Sequence, residues 1–318
     1  MNNFLKKVKS NLEIEKIKFD RVIFLAGDAS TRKYFSIIQK QQNNILMCDF
    51  QNPSIVNKFE KTNRLFFNAG IRVPKIIKKM PNTGMMILEN FGKSKYSNII
   101  NTKNKYQLYK IAVDCLLKIQ KKPKFLGLRN YSLNMLTDES FLFVKWYLKL
   151  KKNKNNNLIF KDFNNILSEI LKIPLKLKNV NVHRDYHIDN LFYFPKLVNT
   201  NRCGLIDHQD AVFGTCVYDL MSLLEDARID PNYSMNDKII SYYLENFKEI
   251  DKFLFLRGYK IIAIQRHLKV LGIFSRLYLR DNKSNYLKHL PRVLMMLKKN
   301  LNEVKCKDLT KIILELLK

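Results

Sequence analysis

The chain has 318 residues, of which 46% are hydrophobic, and its 57 lysines and arginines exceed its 28 aspartates and glutamates to give a net charge of +29. This length accommodates about two domains or lobes of roughly 150 residues each. Because the lysines are scattered and do not concentrate in one arm or on one helix face, we interpret the charge as a general surface property. It does not favour a nucleic-acid partner, but a diffuse positive field attracts a polyanionic substrate such as a nucleotide.

The five cysteines occur singly, without a Cys-x-x-Cys pair. Neither a disulfide framework nor a zinc site is therefore expected, and a reducing cytosol is the natural compartment. The N-terminal residues lack a continuous apolar core, and no run reaches the length of about 18 apolar residues that a membrane span requires. We expect a cytoplasmic protein without a membrane partner, and a monomer is favoured.

The first ninety residues are rich in β-branched and aromatic runs. RVIFLA, KYFSIIQ and NNILMCDF predict a three-stranded antiparallel meander over residues 21–50. A helix follows over residues 54–69, with Gly70 as its stop signal. The segment IRVPKIIKKMPNTGMMILENFG predicts two more strands around a Pro-Asn-Thr-Gly turn. Residues 1–92 therefore form a predicted β-rich lobe.

Helical periods replace this pattern from residue 93 onward. Helices are predicted over residues 105–122, 137–150, 156–172, 218–229, 235–250, 259–280 and 289–305. The tract KKNKNNN, residues 151–157, predicts a solvated loop. The fold class is thus α+β, with a small antiparallel β-sheet lobe at residues 1–92 and a larger helical lobe at residues 93–318, and a ligand is expected in the cleft between them.

The segment NVHRDYHIDNLFYF, residues 181–194, concentrates polar groups in front of an apolar strand. LFYF and CGLID predict a β-hairpin. The residue before its first strand, Asn190, then lies beside the residue that ends the second, Asp207. Asp185 lies five positions before Asn190. One amide oxygen and two carboxylates at one end of a hairpin suit Mg²⁺, which takes its remaining ligands from water and phosphates.

Two other interpretations of this segment are a zinc site and a polar turn. His183 and His187 could be zinc ligands, although no third histidine or cysteine follows nearby. A polar turn without a catalytic or binding role would leave the presence of six polar groups in one short segment to be explained separately for each group. The spacing His-x-Asp-x-x-x-x-Asn, followed by a hairpin ending in Ile-Asp, is typical of kinase-like phosphotransferases. In that arrangement Asp185 takes or orients the acceptor proton, Asn190 and Asp207 hold the metal, and His183 braces the loop.

Beyond this loop, the chain resembles the aminoglycoside phosphotransferase/choline kinase superfamily, and most closely the anomeric N-acetylmuramate/N-acetylglucosamine kinases of cell-wall recycling. The stretches that carry the resemblance occur in the family's order and cover nearly all of the chain: LAGDASTRKYF, NAGIRVPKI, ESFLFVKWYL, VHRDYHIDNL, GLIDHQDAVFGTCVYDLMSLLEDARID and QRHLKVLGIFSRLYLRDNKSNYLKHLPRVL. The resemblance implies a bilobal protein-kinase-like fold, ATP and Mg²⁺ as cofactors, and transfer of phosphate to the C1 hydroxyl of a free sugar.

The resemblance also implies roles for individual residues. The turn over residues 27–33 would cover the nucleotide phosphates, with donors from Gly27, Ser30, Thr31, Arg32 and Lys33. Asp219 matches an acid that ties down the catalytic loop, although it could also be a helix N-cap. The third strand has no phosphate-pairing lysine, since Met47 or a neighbour occupies that position, and Arg32 or Lys33 is the candidate replacement.

Sugar contacts are predicted from two of the matched stretches. Glu139 and Trp146 lie in ESFLFVKWYL, where Trp146 could stack on a pyranose ring or belong to the core. Gln265, Arg266 and His267 interrupt an apolar helix, and Arg276 lies further along it, which indicates either a cleft wall or a surface edge. His187 either braces the loop or contacts the substrate.

Three functions are compatible with these patterns. The leading one is the sugar 1-kinase. The second is a kinase of the same fold that acts on an aminoglycoside, choline or homoserine. Those acceptors are cationic or zwitterionic and bind in an acidic pocket, which the excess of lysine in this sequence does not indicate. The third is a nucleotide-binding pseudokinase or a nucleic-acid-associated protein, suggested by the missing strand lysine and the net charge.

Overall fold

In the computed structural model, which describes residues 2–27, 31–152 and 157–317, the chain forms two units. The first unit contains the chain up to Ile99 together with Leu191–Gln209. The second contains Ile100–Asn190 and the chain from Asp210 onward.

The first unit is built on a five-stranded antiparallel sheet in the order β1-β2-β3-β5-β4. Its strands are β1 (Arg21–Gly27), β2 (Lys33–Gln39), β3 (Gln42–Cys48), β4 (Ile76–Met80) and β5 (Met85–Leu88). The predicted meander and the second pair of strands are both confirmed. A β-bulge in β1 lies between Phe24 and Ala26, just before the strand ends at Gly27. Bulges of this kind increase local twist and re-aim the chain at the rim of a sheet.

Helices cover both faces of this sheet. They are α1 (Asn2–Ile14) and α2 (Ile55–Asn68). The short helix α3 (Tyr96–Ile99) follows the sheet along the chain. Because successive strand residues point to opposite faces, Leu46 packs in the cluster that contains Val8 of α1, whereas Met47 packs with Phe59 of α2. Met47 is fully buried in this apolar cluster, so the strand position at which kinases have a phosphate-pairing lysine belongs to the core here.

The predicted hairpin after the polar loop is present in the first unit. It consists of β7 (Leu191–Tyr193) and β8 (Cys203–Leu205), with Leu191 opposite Leu205. The Leu205 N–H donates to the carbonyl of Arg72, at 2.8 Å. A Cβ at Gly204 would lie 2.5 Å from the ring of Phe194, so only glycine fits there without displacing the aromatic rings around the hairpin.

The described residues of the second unit are helical, apart from one short pair of strands, β6 (Asn179–Val182) and β9 (Val212–Thr215). Its helices are α4 (Lys105–Gln120), α5 (Leu133–Leu142), α6 (Asn157–Leu171), α7 (Val217–Leu224), α8 (Tyr233–Glu245), α9 (Lys252–Leu279), α10 (Leu290–Glu303) and α11 (Lys307–Leu316). A π-helical segment, Phe143–Leu148, continues α5. In the described part of the chain, no helix has the length and apolar character needed to cross a membrane.

Helix α9 is the central element of the second unit, and most of its side chains are buried. It begins seven residues earlier than predicted because the Asp251 side chain caps it, accepting from the Leu254 N–H at 2.7 Å. Gly272 lets α9 approach the end of α5 closely, since a Cβ there would lie 2.3 Å from the backbone carbonyl carbon of Leu142.

This close approach predicts a large stability effect at Gly272. The backbone carbonyl of Leu142 cannot rotate away from an added Cβ. Gly272→Ala is therefore expected to lower the free energy of unfolding by about 1–3 kcal/mol or more, which denaturant titration measures. Gly258→Ala is the matched control on the same helix. Its Cβ would meet Leu177 Cδ1 at 2.8 Å, and that side-chain end can move. A larger loss for Gly258→Ala than for Gly272→Ala would contradict the packing described.

Candidate active site

The polar loop between β6 and β7 is fastened by Asp219 of α7. Its two carboxylate oxygens accept the backbone N–H groups of His183, at 2.6 Å, and Arg184, at 2.9 Å. Burial raises the pKa of Asp219 to about 7, although both N–H donors favour the ionised form. Helix α7 has Cys216 as its N-cap, with Asp219 inside the first turn. The N-cap interpretation of Asp219 is therefore wrong, and its side chain bonds to a different segment.

Asp185 follows directly after this fastened backbone. Its carbonyl oxygen accepts the Asn190 side-chain N–H at 3.0 Å, which closes the loop, while its carboxylate is 40% exposed. Burial alone would raise the pKa of Asp185, but the positive charges of Lys269 and Arg266 outweigh it and hold the pKa below its usual value. The loop therefore presents an ionised carboxylate on an immobilised backbone, as a group that receives a proton requires.

Glu139 of α5 is the centre of an ion-pair network beside this loop. It accepts hydrogen bonds from the Tyr131 hydroxyl and the Arg184 guanidinium, and it lies 3.0 Å from Lys269 Nζ. Its side chain is only 11% exposed. Burial alone would raise the pKa of Glu139, but Lys269 and Arg184 lower it to about 2. With three donors around it, Glu139 already has a full set of partners.

The low pKa of Glu139 predicts a specific pH dependence of stability. Its pKa is lower in the folded than in the unfolded chain, so below about pH 4.5 the unfolded state binds more protons and the stabilisation is progressively lost. The stability advantage of the wild type over Glu139→Gln should therefore shrink by about 1.6 kcal/mol between pH 4.5 and pH 3. Denaturant unfolding at both pH values measures this, and an advantage that is constant with pH would contradict it.

Both the backbone and the side chain of Arg184 are held in place by hydrogen bonds. Its φ is +80°, a left-handed conformation that is costly for residues other than glycine. The Asp219 carboxylate holds its N–H, Arg266 Nη1 donates to its carbonyl at 3.3 Å, and Glu139 holds its guanidinium. Strain of this kind persists only where surrounding contacts fix it, so the backbone just before Asp185 is tightly specified.

The sequence patterns do not single out Tyr131, Arg184, Tyr218 or Lys269 as functional. The available signal was the spacing of Lys269, three positions after Arg266 in an otherwise apolar helix, which places both cations on one face. Arg266 Nη1 and Lys269 Nζ each lie 3.2 Å from the Tyr218 hydroxyl.

The two histidines of the loop are both buried. His183 is fully buried, and its ring packs edge-on against Tyr186, with centroids 5.7 Å apart. His187 is buried with Nε2 3.4 Å from the Asn190 side-chain nitrogen, and burial lowers its pKa well below the usual value. A neutral imidazole at this position neither repels nor neutralises the cations around the loop.

Asp207 lies in the first unit, two residues after β8, in a left-handed conformation with φ +63°. Its Oδ1 accepts from Gln209 at 2.7 Å and lies 3.3 Å from Arg32 Nη1. The next residue, His208, is fully buried between the rings of Phe59 and Phe66, with centroids 5.1 and 5.3 Å away. These rings fix the backbone that carries Asp207, and the carboxylate remains 26% exposed.

The predicted phosphate-covering turn also belongs to the first unit. Gly27 is exposed and ends β1 opposite Lys33. The Thr31 hydroxyl donates to Asp49 at 2.8 Å, and Lys33 Nζ lies 3.8 Å from the centroid of the Phe4 ring. Ser30 lies outside the described residues.

The remaining side chains predicted to contact the sugar have partners outside the loop. Gln265 is fully buried and donates to the Leu136 carbonyl at 3.0 Å. Trp146 lies in the π-helical segment, with Lys149 Nζ 5.9 Å from its ring. Arg276 is near Arg280 and Asp281 further along α9. Within the described ranges, no hydrogen bond or ion pair joins these three side chains to Asp185.

Asn190 and Asp207 have the chemistry of hard-cation ligands. The amide nitrogen of Asn190 is used by the Asp185 carbonyl, so its oxygen is the atom that remains for a cation, and Asp207 offers a carboxylate. Across residues 2–27, 31–152 and 157–317, no three His, Cys, Asp or Glu side chains form a group that could hold a metal ion. Oxygen ligands in small number fit Mg²⁺, which keeps waters and uses substrate phosphates as further ligands.

Sequence comparison identifies one matching family and several similar proteins. The profile of the phosphotransferase enzyme family matches residues 22–253. The chain is 28% identical over 314 residues to the N-acetylmuramate/N-acetylglucosamine kinase of Caulobacter vibrioides, covering 85% of this chain and 84% of that protein. It is 30% identical over 279 residues to the kinase of the same name from Pseudomonas putida, covering 84% and 79%.

Solved structures with a similar fold are more distant in sequence. The choline kinase LicA of Streptococcus pneumoniae has a TM-score of 0.67 at 13% identity and covers 93% of this chain and 99% of its own. An ADP-bound aminoglycoside phosphotransferase, APH(2'')-Ib, has a TM-score of 0.62 at 14% identity and covers 92% and 97%. At these identities the likeness concerns the fold alone, and it confirms the predicted α+β kinase-like class.

Proposed function

Because the chain belongs to the phosphotransferase enzyme family, we propose that it is an ATP-dependent kinase of a cell-wall amino sugar. The acceptor is N-acetylmuramate or N-acetylglucosamine, the sugars for which its relatives in Caulobacter vibrioides and Pseudomonas putida are named. The C1 hydroxyl gives up its proton as its oxygen bonds to the γ-phosphorus of ATP. The bond from that phosphorus to the ADP oxygen breaks, and the product is a sugar 1-phosphate.

The observation that carries this proposal is the fastened loop that presents Asp185. An anomeric hydroxyl is more acidic than an ordinary alcohol, so a carboxylate with a low pKa is sufficient to orient it and receive its proton. Asp219 and the Arg184–Glu139 pair hold the backbone on which Asp185 stands. Most of the rate enhancement in phosphoryl transfer comes from such positioning and from charge neutralisation.

The nucleotide would be bound as its magnesium complex. We assign the metal to Asn190 Oδ1 and the Asp207 carboxylate, and the phosphates to the turn predicted over residues 27–33, of which residues 28–30 lie outside the described residues. Mg²⁺, when bound, supplies positive charge that neutralises the phosphate oxygens. Arg32 is the candidate for the missing strand lysine, since it is buried and its guanidinium already contacts Asp207. In this assignment residues 1–92 form the lobe that covers the nucleotide, and residues 93–318 carry the catalytic loop and the sugar site.

The charges around Asp185 favour a sugar over a cationic acceptor. Arg184, Arg266 and Lys269 all lower its pKa, so the surroundings of the carboxylate are positive. A quaternary ammonium such as choline, or a polycationic aminoglycoside, would be repelled there. A neutral or anionic amino sugar would not.

The experiment that tests the proposal is product analysis. The protein is incubated with Mg-ATP and either sugar, and the product is examined for a phosphate ester that acid hydrolyses readily, as expected of an anomeric phosphate. A sugar 1-phosphate from at least one of the two sugars is expected. If neither sugar yields an acid-labile phosphate, the assignment of the substrate is wrong.

A further inference from the structure

The three cations beside Asp185 do not have equivalent partners. Arg184 and Lys269 both contact the Glu139 carboxylate. Arg266 Nη1 donates to two neutral oxygens, the Arg184 carbonyl and the Tyr218 hydroxyl. Its Nη2 lies 4.0 Å from Asp185 Oδ1, which is an ion-pair distance but too long for a hydrogen bond.

Arg266 is therefore a buried guanidinium whose charge is incompletely compensated. Its side chain is 9% exposed, and no carboxylate of the described residues lies within hydrogen-bond distance of it. A buried charge of this kind is costly unless an opposite charge and hydrogen bonds satisfy it. The Nη2 edge, which faces the partly exposed Asp185, is where a ligand could provide both.

From this geometry we propose that Arg266 recognises a carboxylate on the acceptor sugar and makes the enzyme selective for an acidic acceptor. This proposal rests on the proposed function and specifies which of the two sugars the enzyme prefers. N-acetylmuramate carries a lactyl carboxylate, whereas N-acetylglucosamine has a neutral hydroxyl at the same position. A guanidinium matches a carboxylate with two parallel N–H donors, which a lysine cannot do.

The other anionic oxygen that could reach Arg266 is on the phosphoryl group in transfer. The placement of Arg266 favours the acceptor. Arg266 shares the Tyr218 hydroxyl with Lys269, and no hydrogen bond or ion pair of the described residues joins it to Asn190, the group of its own unit that is proposed for the nucleotide. The two sources have different consequences, because a phosphoryl contact would be shared by every acceptor and a carboxylate contact would not.

The test compares two acceptors with one substitution. In Arg266→Gln, kcat/KM for N-acetylmuramate should fall about tenfold to a hundredfold more than kcat/KM for N-acetylglucosamine, as expected for loss of a charge-assisted hydrogen bond. Arg266→Lys should recover part of the selectivity. Arg280→Gln, at an exposed arginine of the same helical region that pairs with Asp281, is the matched control and should leave the ratio of the two values unchanged.

Equal losses of kcat/KM for both sugars in Arg266→Gln would overturn the proposal and assign Arg266 to the phosphoryl group or to Asp185.

A second measurement does not depend on folding of the variant. The wild-type protein should bind N-acetylmuramate at least about tenfold more tightly than its uncharged carboxamide. Equal binding would also overturn the proposal. Failure of the wild type to phosphorylate either sugar would instead reject the proposed function.

Discussion

Replacement of Asp185 by asparagine is expected to lower kcat by about a hundredfold to ten-thousandfold, the range that a general base contributes. Asparagine has a similar shape but cannot receive the proton. Nucleotide affinity should be retained, because the atom of Asp185 that contacts the metal-ligand candidate Asn190 is its backbone carbonyl. Steady-state kinetics and equilibrium nucleotide binding measure the two effects separately.

The matched control for this prediction is Asp189→Asn, four residues further along the same loop. Asp189 pairs with Arg228 at 2.7 Å and is 39% exposed, so its loss should change kcat by less than about tenfold. If Asp185→Asn loses nucleotide binding as strongly as turnover, Asp185 is mainly a metal ligand and the role of base is wrong.

Asp219→Asn is expected to have the second largest effect, on both stability and turnover. An amide can accept only one of the two backbone N–H groups that the carboxylate accepts, and its NH₂ group then faces the other donor. A buried unsatisfied donor costs about 1–3 kcal/mol, which denaturant unfolding measures. Turnover should fall as well, by about tenfold to a hundredfold, because the displaced backbone carries Asp185.

Asp237→Asn, at an exposed acid of α8, controls for the change of charge and should leave both quantities unchanged. Glycerol or another stabilising solute can restore folding without restoring the geometry of the loop. A variant whose stability is recovered in this way but whose kcat remains low therefore agrees with the positioning role. Full turnover together with reduced stability would contradict it.

The sequence predicted those elements in which a local pattern determines the structure. The strands of the first sheet follow directly from their apolar and aromatic runs, and the hairpin of β7 and β8 follows from its two short apolar strands. The family resemblance is confirmed by the profile match over residues 22–253. Each of these signals lies within a few tens of residues and does not depend on distant contacts.

Some elements were not predicted, for two different reasons. Helices α1 and α11 are absent from the prediction although their amphipathic spacing is sufficient to predict a helix. Four apolar residues, Leu309, Ile312, Ile313 and Leu316, recur on the buried face of α11. Strands β6 and β9 have four residues each. Such short strands form only because the fold pairs them, so their sequences carry little independent signal.

The environment of Asp185 shows why a site is harder to predict than a motif. The spacing of the loop identifies Asp185 and Asn190, but the Glu139–Arg184 pair joins residues 45 positions apart, and Arg266 is 82 positions from the carbonyl it contacts. Neither separation follows from a local pattern. The left-handed backbone at Arg184 is also invisible in the sequence, since a glycine would be the expected residue there.

The measurement that tests the central claim most directly is the rate of ADP formation from ATP with each component omitted in turn. If Asp185 activates a sugar hydroxyl towards a metal-bound nucleotide, ADP should form only when Mg²⁺ and an amino sugar are both present, in a one-to-one ratio with phosphorylated sugar. ADP formation that is unaffected by the sugar, or its absence with either sugar at saturating Mg-ATP, would contradict the account.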